Sequence, residues 1–198
     1  MIVASLDVNE VGVLRKLARD IDAMLAAPAL PVAAADADAE AGVAPSDGAP
    51  VPEPEPEPDP LHAIVGLPSG PGPSRPTDPV LARLLPDAYG EDEAAVEFRR
   101  FTEAELRETK RGAIDTMLTS LPPSGGKVRL DEEQAEAWLA ALNDIRLALG
   151  VHLDVAEEWY LELRQLDPMS PRARRLMIYE LLTRWQSSLL VAVTGYDD

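Results

Sequence analysis

The side chains best placed to do chemistry in this sequence are its bases, because they are scarce and clustered: 18 lysines and arginines stand against 35 aspartates and glutamates. Arg99 and Arg100 are adjacent, Lys110 and Arg111 follow further along, and Arg172, Arg174 and Arg175 crowd one short stretch. A guanidinium offers a planar fork of donors that matches a carboxylate or a phosphate. The last three lie in the first turns of a helix opened by Ser170-Pro171, where the helix dipole disfavours positive charge, so a compensating partner is expected. Internal carboxylates such as Asp167 or Glu180 are the economical source, and phosphate or an acidic protein is the other. A second polar group, Asn143, Asp144 and Arg146, fits within one helical turn and suits either a hydrogen-bonded contact with a neighbouring helix or a recognition site. Asn143, Asp144, Arg146, Arg99, Arg100, Arg172, Arg174 and Arg175 together make up the candidate partner surface.

Catalytic arrangements fail one after another. The two histidines, His62 and His152, have no neighbours at metal-ligand spacing. Gly125-Gly126-Lys127 invites comparison with a phosphate loop, but Leu121 stands where the first glycine belongs and Val128 where Ser or Thr is required. The carboxylate runs Asp131-Glu132-Glu133 and Glu157-Glu158 fall in first helical turns, where negative charge is favoured without any acid or base role. Cysteine is absent, which removes disulfides, thiolate nucleophiles and Cys-ligated zinc together. The expectation is a protein that is not an enzyme and that holds no cofactor or metal.

Charge bounds the partners. A formal charge of −17 makes non-specific attraction to nucleic acid or an anionic membrane unfavourable, although a local basic face remains open. No stretch approaches the roughly 20 apolar residues of a membrane helix, and MIVASLDVNE lacks the basic start of a secretory signal. A cytoplasmic location is expected. Hydrophobic residues make up 46% but aromatics only 5%, so the core must be aliphatic, which suits helices.

The elements that must position these side chains follow from periodicity and caps. Val11, Leu14, Leu17, Ala18, Ile21, Met24 and Leu25 form one helical stripe between Asp7 and Ala27, which Pro28 ends. Residues 28–76 hold 13 of the 19 prolines and eight acids against one base, a composition of extended, disordered linker. Asp78-Pro79 opens a short helix. A helix over 91–100 with Ala94, Ala95 and Phe98 inward precedes a second one, begun by a Thr102-x-x-Glu105 capping box and carrying Leu106, Ala113, Ile114, Met117, Leu118 and Leu121. Residues 124–130 form a loop with one short extended segment at 127–130. Asp131 and Gln134 then start the most fully specified helix, with Ala135, Trp138, Leu139, Leu142, Ile145 and Leu149 on one face and Gly150 at its end. Asp154 caps a helix through Leu166. Ser170-Pro171 starts the last, whose apolar residues go nearly all the way round, as in a central helix or a subunit interface such as a homodimer. Met24, Met117 and Met177 read as core. The fold expected is all-α: a compact bundle of about six to seven helices with an N-terminal helix (1–27) docked on it, a disordered Pro/Glu-rich linker (28–76) and a helical domain (77–198).

RLLPDAY (83–89), EFRRFTEAELRETK (97–110) and VRLDEEQAEAWLAALNDIRLALG (128–150) together resemble the actinobacterial AosR family, formerly a domain of unknown function. The likeness runs in order from the first helix to the last. It implies an oxidative-stress transcriptional regulator of the cytoplasm, working through protein contacts with the transcription machinery, in a family usually encoded beside the ClpS protease adaptor. Redox sensing in that family is attributed to cysteines, so no disulfide switch carries over to any position here. Two alternatives stand beside this reading: a partner or adaptor in Clp-dependent proteolysis, and a direct DNA-binding regulator that uses the Arg clusters, with a helix-turn-helix in the last two helices as its form.

Overall fold

Short polar residues ahead of apolar stripes set most helix starts. Helix α1 (Val8–Ala26) begins at Asp7, whose carboxylate accepts from the Asn9 and Glu10 amides while the Glu10 side chain accepts from the Asp7 amide. Helix α2 (Pro79–Leu84) begins at Asp78, which accepts from the Val80 and Leu81 amides. Helix α4 (Glu132–His152) has the expected reciprocal pair of Asp131 and Gln134. Helix α6 (Pro171–Thr194) has Ser170 accepting from the Ala173 amide and the left-handed Gly195 closing it. Each such N-cap contributes about 1 kcal/mol. The computed structural model describes residues 1–28 and 72–195. Most of the expected linker, from 29 to 71 and including His62, lies outside the described residues.

Three local expectations are corrected. Helix α3 (Asp92–Ser120) is one continuous helix of 29 residues where two were expected. Its Thr102 hydroxyl donates back to the Phe98 carbonyl instead of capping a new start, and with no proline between Asp92 and Ser120 nothing interrupts the ladder. Helix α5 (Trp159–Gln165) is short, because Asp154 sits at φ 48, a left-handed conformation incompatible with an N-cap, and Glu158 ahead of the helix provides no side-chain cap. Gly150 does not end α4, which runs on to His152. A Cβ at Gly150 would lie 3.5 Å from the Tyr179 ring, an ordinary contact, so neither the space nor the backbone there requires glycine.

The N-terminus adds a feature that an all-helical reading misses. Strand β1 (Ile2–Leu6) pairs antiparallel with β2 (Gly126–Leu130), Ile2 opposite Leu130 and Leu6 opposite Gly126. The extended segment expected at 127–130 thus has a partner. The described residues remain mostly helical, with six helices and this one two-stranded sheet.

The chain divides into two compact units. In the larger, made of residues 1–27, 77–86 and 105 onward, α4 is the surrounded element. Helices α1, α2 and α6 and strand β2 all pack on it. Its Ala135, Trp138, Ala141, Leu142, Ile145 and Ala148 are buried together with Leu14 and Ile21 of α1, Leu84 of α2, Ile114 and Met117 of α3, and Leu182 of α6. The smaller unit, described over 72–76 and 87–104, packs Gly72 so tightly on α3 that a Cβ there would meet the Val96 carbonyl at 2.6 Å. Phe98, expected inward, is 43% exposed, with Tyr89 edge-on against it. In the larger unit Leu106 and Met177 are likewise exposed, while Met117 is fully buried.

The loop between α3 and β2 passes the start of α1 at Gly125, which has φ 91 and whose Cβ would stand 3.0 Å from the Val8 nitrogen. Gly125→Ala is strained both by its dihedral and by the backbone opposite. It should cost about 2 kcal/mol or more in a urea unfolding curve, whereas Gly90→Ala, with open space around it, should stay within about 0.5 kcal/mol.

Candidate functional site

The Asn143, Asp144, Arg146 group does not form one face. Asp144 is 2% exposed, and its carboxylate accepts from Lys110 of α3 at 2.7 Å. Asn143 is half-buried and its carbonyl oxygen stands 3.4 Å from Gln186 Nε2 of α6. Arg146 is half-buried and lines a cavity of about 370 Å³ with Arg83, Gly150, Asp154 and Tyr179. Its Nε is buried without a hydrogen-bond partner. Leaving such a donor unmet costs about 1–3 kcal/mol.

The Asp144 carboxyl is pushed above its ordinary range, since burial outweighs the hydrogen bond and the charge of Lys110. An ion pair taken out of water regains only part of its lost hydration. What the pair does well is fix α3 against α4, because any slip of one helix along the other leaves a charge buried alone.

The arginine clusters are largely employed within the fold. In the smaller unit Arg99 is 5% exposed and donates to Glu103 at 2.9 Å and to Asp87. Burial works to lower its pKa, yet the hydrogen bonds and charges of Glu103 and Asp87 prevail and raise it. Arg100 is half-buried with its guanidinium over the Phe101 ring, 5.4 Å from the centroid. In the larger unit Arg172 forks onto Glu162 of α5 at 2.7 and 3.0 Å and also donates to the Leu153 carbonyl. Its compensating acid is therefore Glu162 and not Asp167 or Glu180, and the Glu162 carboxyl is held below its usual range by the Arg172 hydrogen bond. Arg174 and Arg175 remain exposed. They donate to the carbonyls of Met169 and Pro171 at 2.8 and 3.2 Å, and among the described residues no acid pairs with either charge.

Sequence reasoning missed the residues that tie α1 down. Arg107 donates to the carbonyls of Leu25 and Ala27 at 2.9 and 3.1 Å, satisfying orphan acceptors at the end of α1. Arg111 pairs with Asp22 at 2.8 Å, and Arg15 reaches the Pro122 carbonyl at 3.0 Å. Only the clustering of bases in α3 hinted at this. No group of three or more His, Asp or Glu suited to a metal occurs among the described residues. Nor is any helix among them long and apolar enough to cross a membrane.

A model of the family described as Domain of unknown function (DUF2017) matches residues 1–193. The chain belongs to this family. It is 36% identical over 149 residues to proteins named oxidative stress regulator AosR in Mycobacterium bovis and Mycobacterium tuberculosis. The match covers 68% of this chain and 66% of each relative, so the chain spans just under two thirds of the length of the curated relatives it matches. No solved structure matches it. These relatives support a regulatory role for the family, and the segments that carry the likeness include the α3–α4 pair that Lys110 and Asp144 join.

Lys110→Ala should destabilise the fold by about 3 kcal/mol at neutral pH, because it strands a buried carboxylate. Asp144 binds its proton more tightly folded than unfolded, so its contribution to stability is greatest below the unfolded pKa of about 4 and declines as pH rises through the folded value. The cost of Lys110→Ala should therefore shrink on acidification. Urea midpoints of both proteins between pH 4 and 8 measure it, and a cost independent of pH would contradict this assignment.

Proposed function

We propose that this protein is a non-enzymatic cytoplasmic regulator of the oxidative-stress response that acts by contact with proteins of the transcription machinery. The observation that carries the reading is its 36% identity to proteins named oxidative stress regulator AosR. The chemistry of the chain is consistent with it. With no cysteine, the regulator works without a disulfide switch. Lys16, Arg75, Arg99, Lys110, Arg111 and Arg172 are engaged in internal ion pairs, and a chain of charge −17 has little net attraction for a phosphate backbone.

The partner surface we favour is the outer start of α6, where Arg174 and Arg175 are exposed and bonded only to carbonyls of the segment that opens their own helix. Two guanidiniums without acids suit an acidic protein patch, and the nearby exposed Met169 and Met177 add apolar area.

Affinity capture with the full chain from its native host, read by mass spectrometry, tests the proposal. Transcription-machinery subunits should be recovered, and Arg174→Ala with Arg175→Ala should cut their recovery at least tenfold while the unfolding midpoint stays within about 0.5 kcal/mol of the parent. Undiminished capture by the double variant would remove this surface. Recovery of Clp components alone would replace the proposal with the proteolytic adaptor, and promoter binding that weakens steeply with salt would replace it with direct DNA contact.

A further inference from the structure

The cavity beside Arg146 is the place where charge, room and an unmet hydrogen bond coincide. It measures about 370 Å³, the size of a small-metabolite site, and is framed by α2, α4 and α6 within the larger unit. Arg83 comes from the last turn of α2, Arg146 from α4 and Tyr179 from α6. Among the described residues neither Arg83 nor Arg146 has an ion pair or a side-chain hydrogen bond, and Arg146 Nε is sealed from water. An exposed base without an acid, such as Arg83, is common in this chain, but Arg146 combines a buried, unpartnered Nε with a place on the wall of this cavity. A buried donor without a partner calls for an explanation, and a missing ion is one of the few available.

We infer that this cavity binds a small oxyanion, held between the guanidiniums of Arg83 and Arg146, on a molecule that also carries a hydrogen-bond donor. The anion follows from the arginines, whose fork geometry matches a carboxylate or phosphate. The donor follows from Asp154, which lines the same cavity and whose negative charge would repel a bare anion but accept from a hydroxyl or ammonium group. Asp154 enters the cavity wall from a left-handed backbone, φ 48, and Gly150 and Tyr179 line it beside Arg146. Neither Arg174 nor Arg175 lines this site, which does not depend on the identity of a protein partner.

Calorimetric titration of the full chain tests it with inorganic phosphate and with citrate, which separate a phosphate source from a carboxylate one. One-to-one saturable binding of either probe is expected. Arg146→Met and Arg83→Met should each weaken it at least tenfold, with Arg175→Met unchanged. Since Arg83 is exposed, its variant folds whatever Arg146→Met does. Asp154→Asn should tighten phosphate, by removing the like charge. Absence of saturable binding by both probes, or binding indifferent to Arg83→Met and Arg146→Met, would overturn the site.

Discussion

Helix α4 buries a face too broad for one neighbour. Its buried positions Ala135, Trp138, Ala141, Leu142, Ile145 and Ala148 spread over about 140° around the axis, so a single neighbour cannot remove them all from water. At 3.6 residues per turn, adjacent positions point about 100° apart, and Ala141 with Leu142 alone demand two neighbours. The larger unit answers with α1, α2, α6 and β2 around one axis. Small side chains at Ala135, Ala141 and Ala148 let those neighbours approach, while Trp138 fills the remaining space and donates to Ser120 of α3 at 2.8 Å. Burial on this scale supplies the stabilisation that the separate helices, marginal alone in water, lack.

Covering α4 requires α1, and α1 comes from the far side of a long Pro/Glu-rich segment, so specific ties must select its position. Apolar contact from Leu14, Ala18 and Ile21 is non-directional. Direction comes from hydrogen bonds: Arg107 to the end of α1, Arg111 to Asp22, Arg15 to Pro122, and β1 in register with β2. The one-residue alternation of a strand makes that last contact selective, since a slip by one residue would turn Val128 and Leu130 away from the core. Arg107 and Arg111 of α3 and Arg15 of α1 are therefore construction members, tied to the fold and not to an outside partner.

What the sequence made legible was whatever is decided locally. The caps at Asp78, Asp131 and Ser170, the stripe of α1 and the face of α4 all depend on residues within a turn or two of one another, and all were readable. The strand pair was not, because MIVASL and GKVRL become strands only by meeting across more than 120 residues of chain. The Thr102-x-x-Glu105 pattern misled for a related reason: the same residues serve inside a helix when nothing upstream breaks it. Phe98 and Leu106 showed helical spacing yet lie exposed, since period alone does not say which apolar positions find a neighbour. At the candidate site, the residue types were visible and the partners were not. Asp144 could be picked out, but Lys110, Glu162 and Tyr179 enter only through tertiary packing.

Asn143, Asp144 and Arg146 illustrate how a central helix divides one polar cluster among several neighbours. Asp144 lies about 100° from Asn143 around the axis, and Arg146 about 60° from it on the other side. On a surface helix that spread would still leave at least two of them in a common patch. Around α4 it sends Asp144 to Lys110 of α3, Asn143 to Gln186 of α6, and Arg146 to the cavity between Arg83 and Tyr179. Two of the three directions end on protein groups that at least partly satisfy them. The third ends on space and a second unpaired arginine. Burial costs a charge its hydration wherever it occurs, and apolar residues of similar size often serve as well or better when the only gain is stability. Where the fold retains a partly buried charge and leaves room beside it, the missing interaction is more economically sought outside the chain than within it.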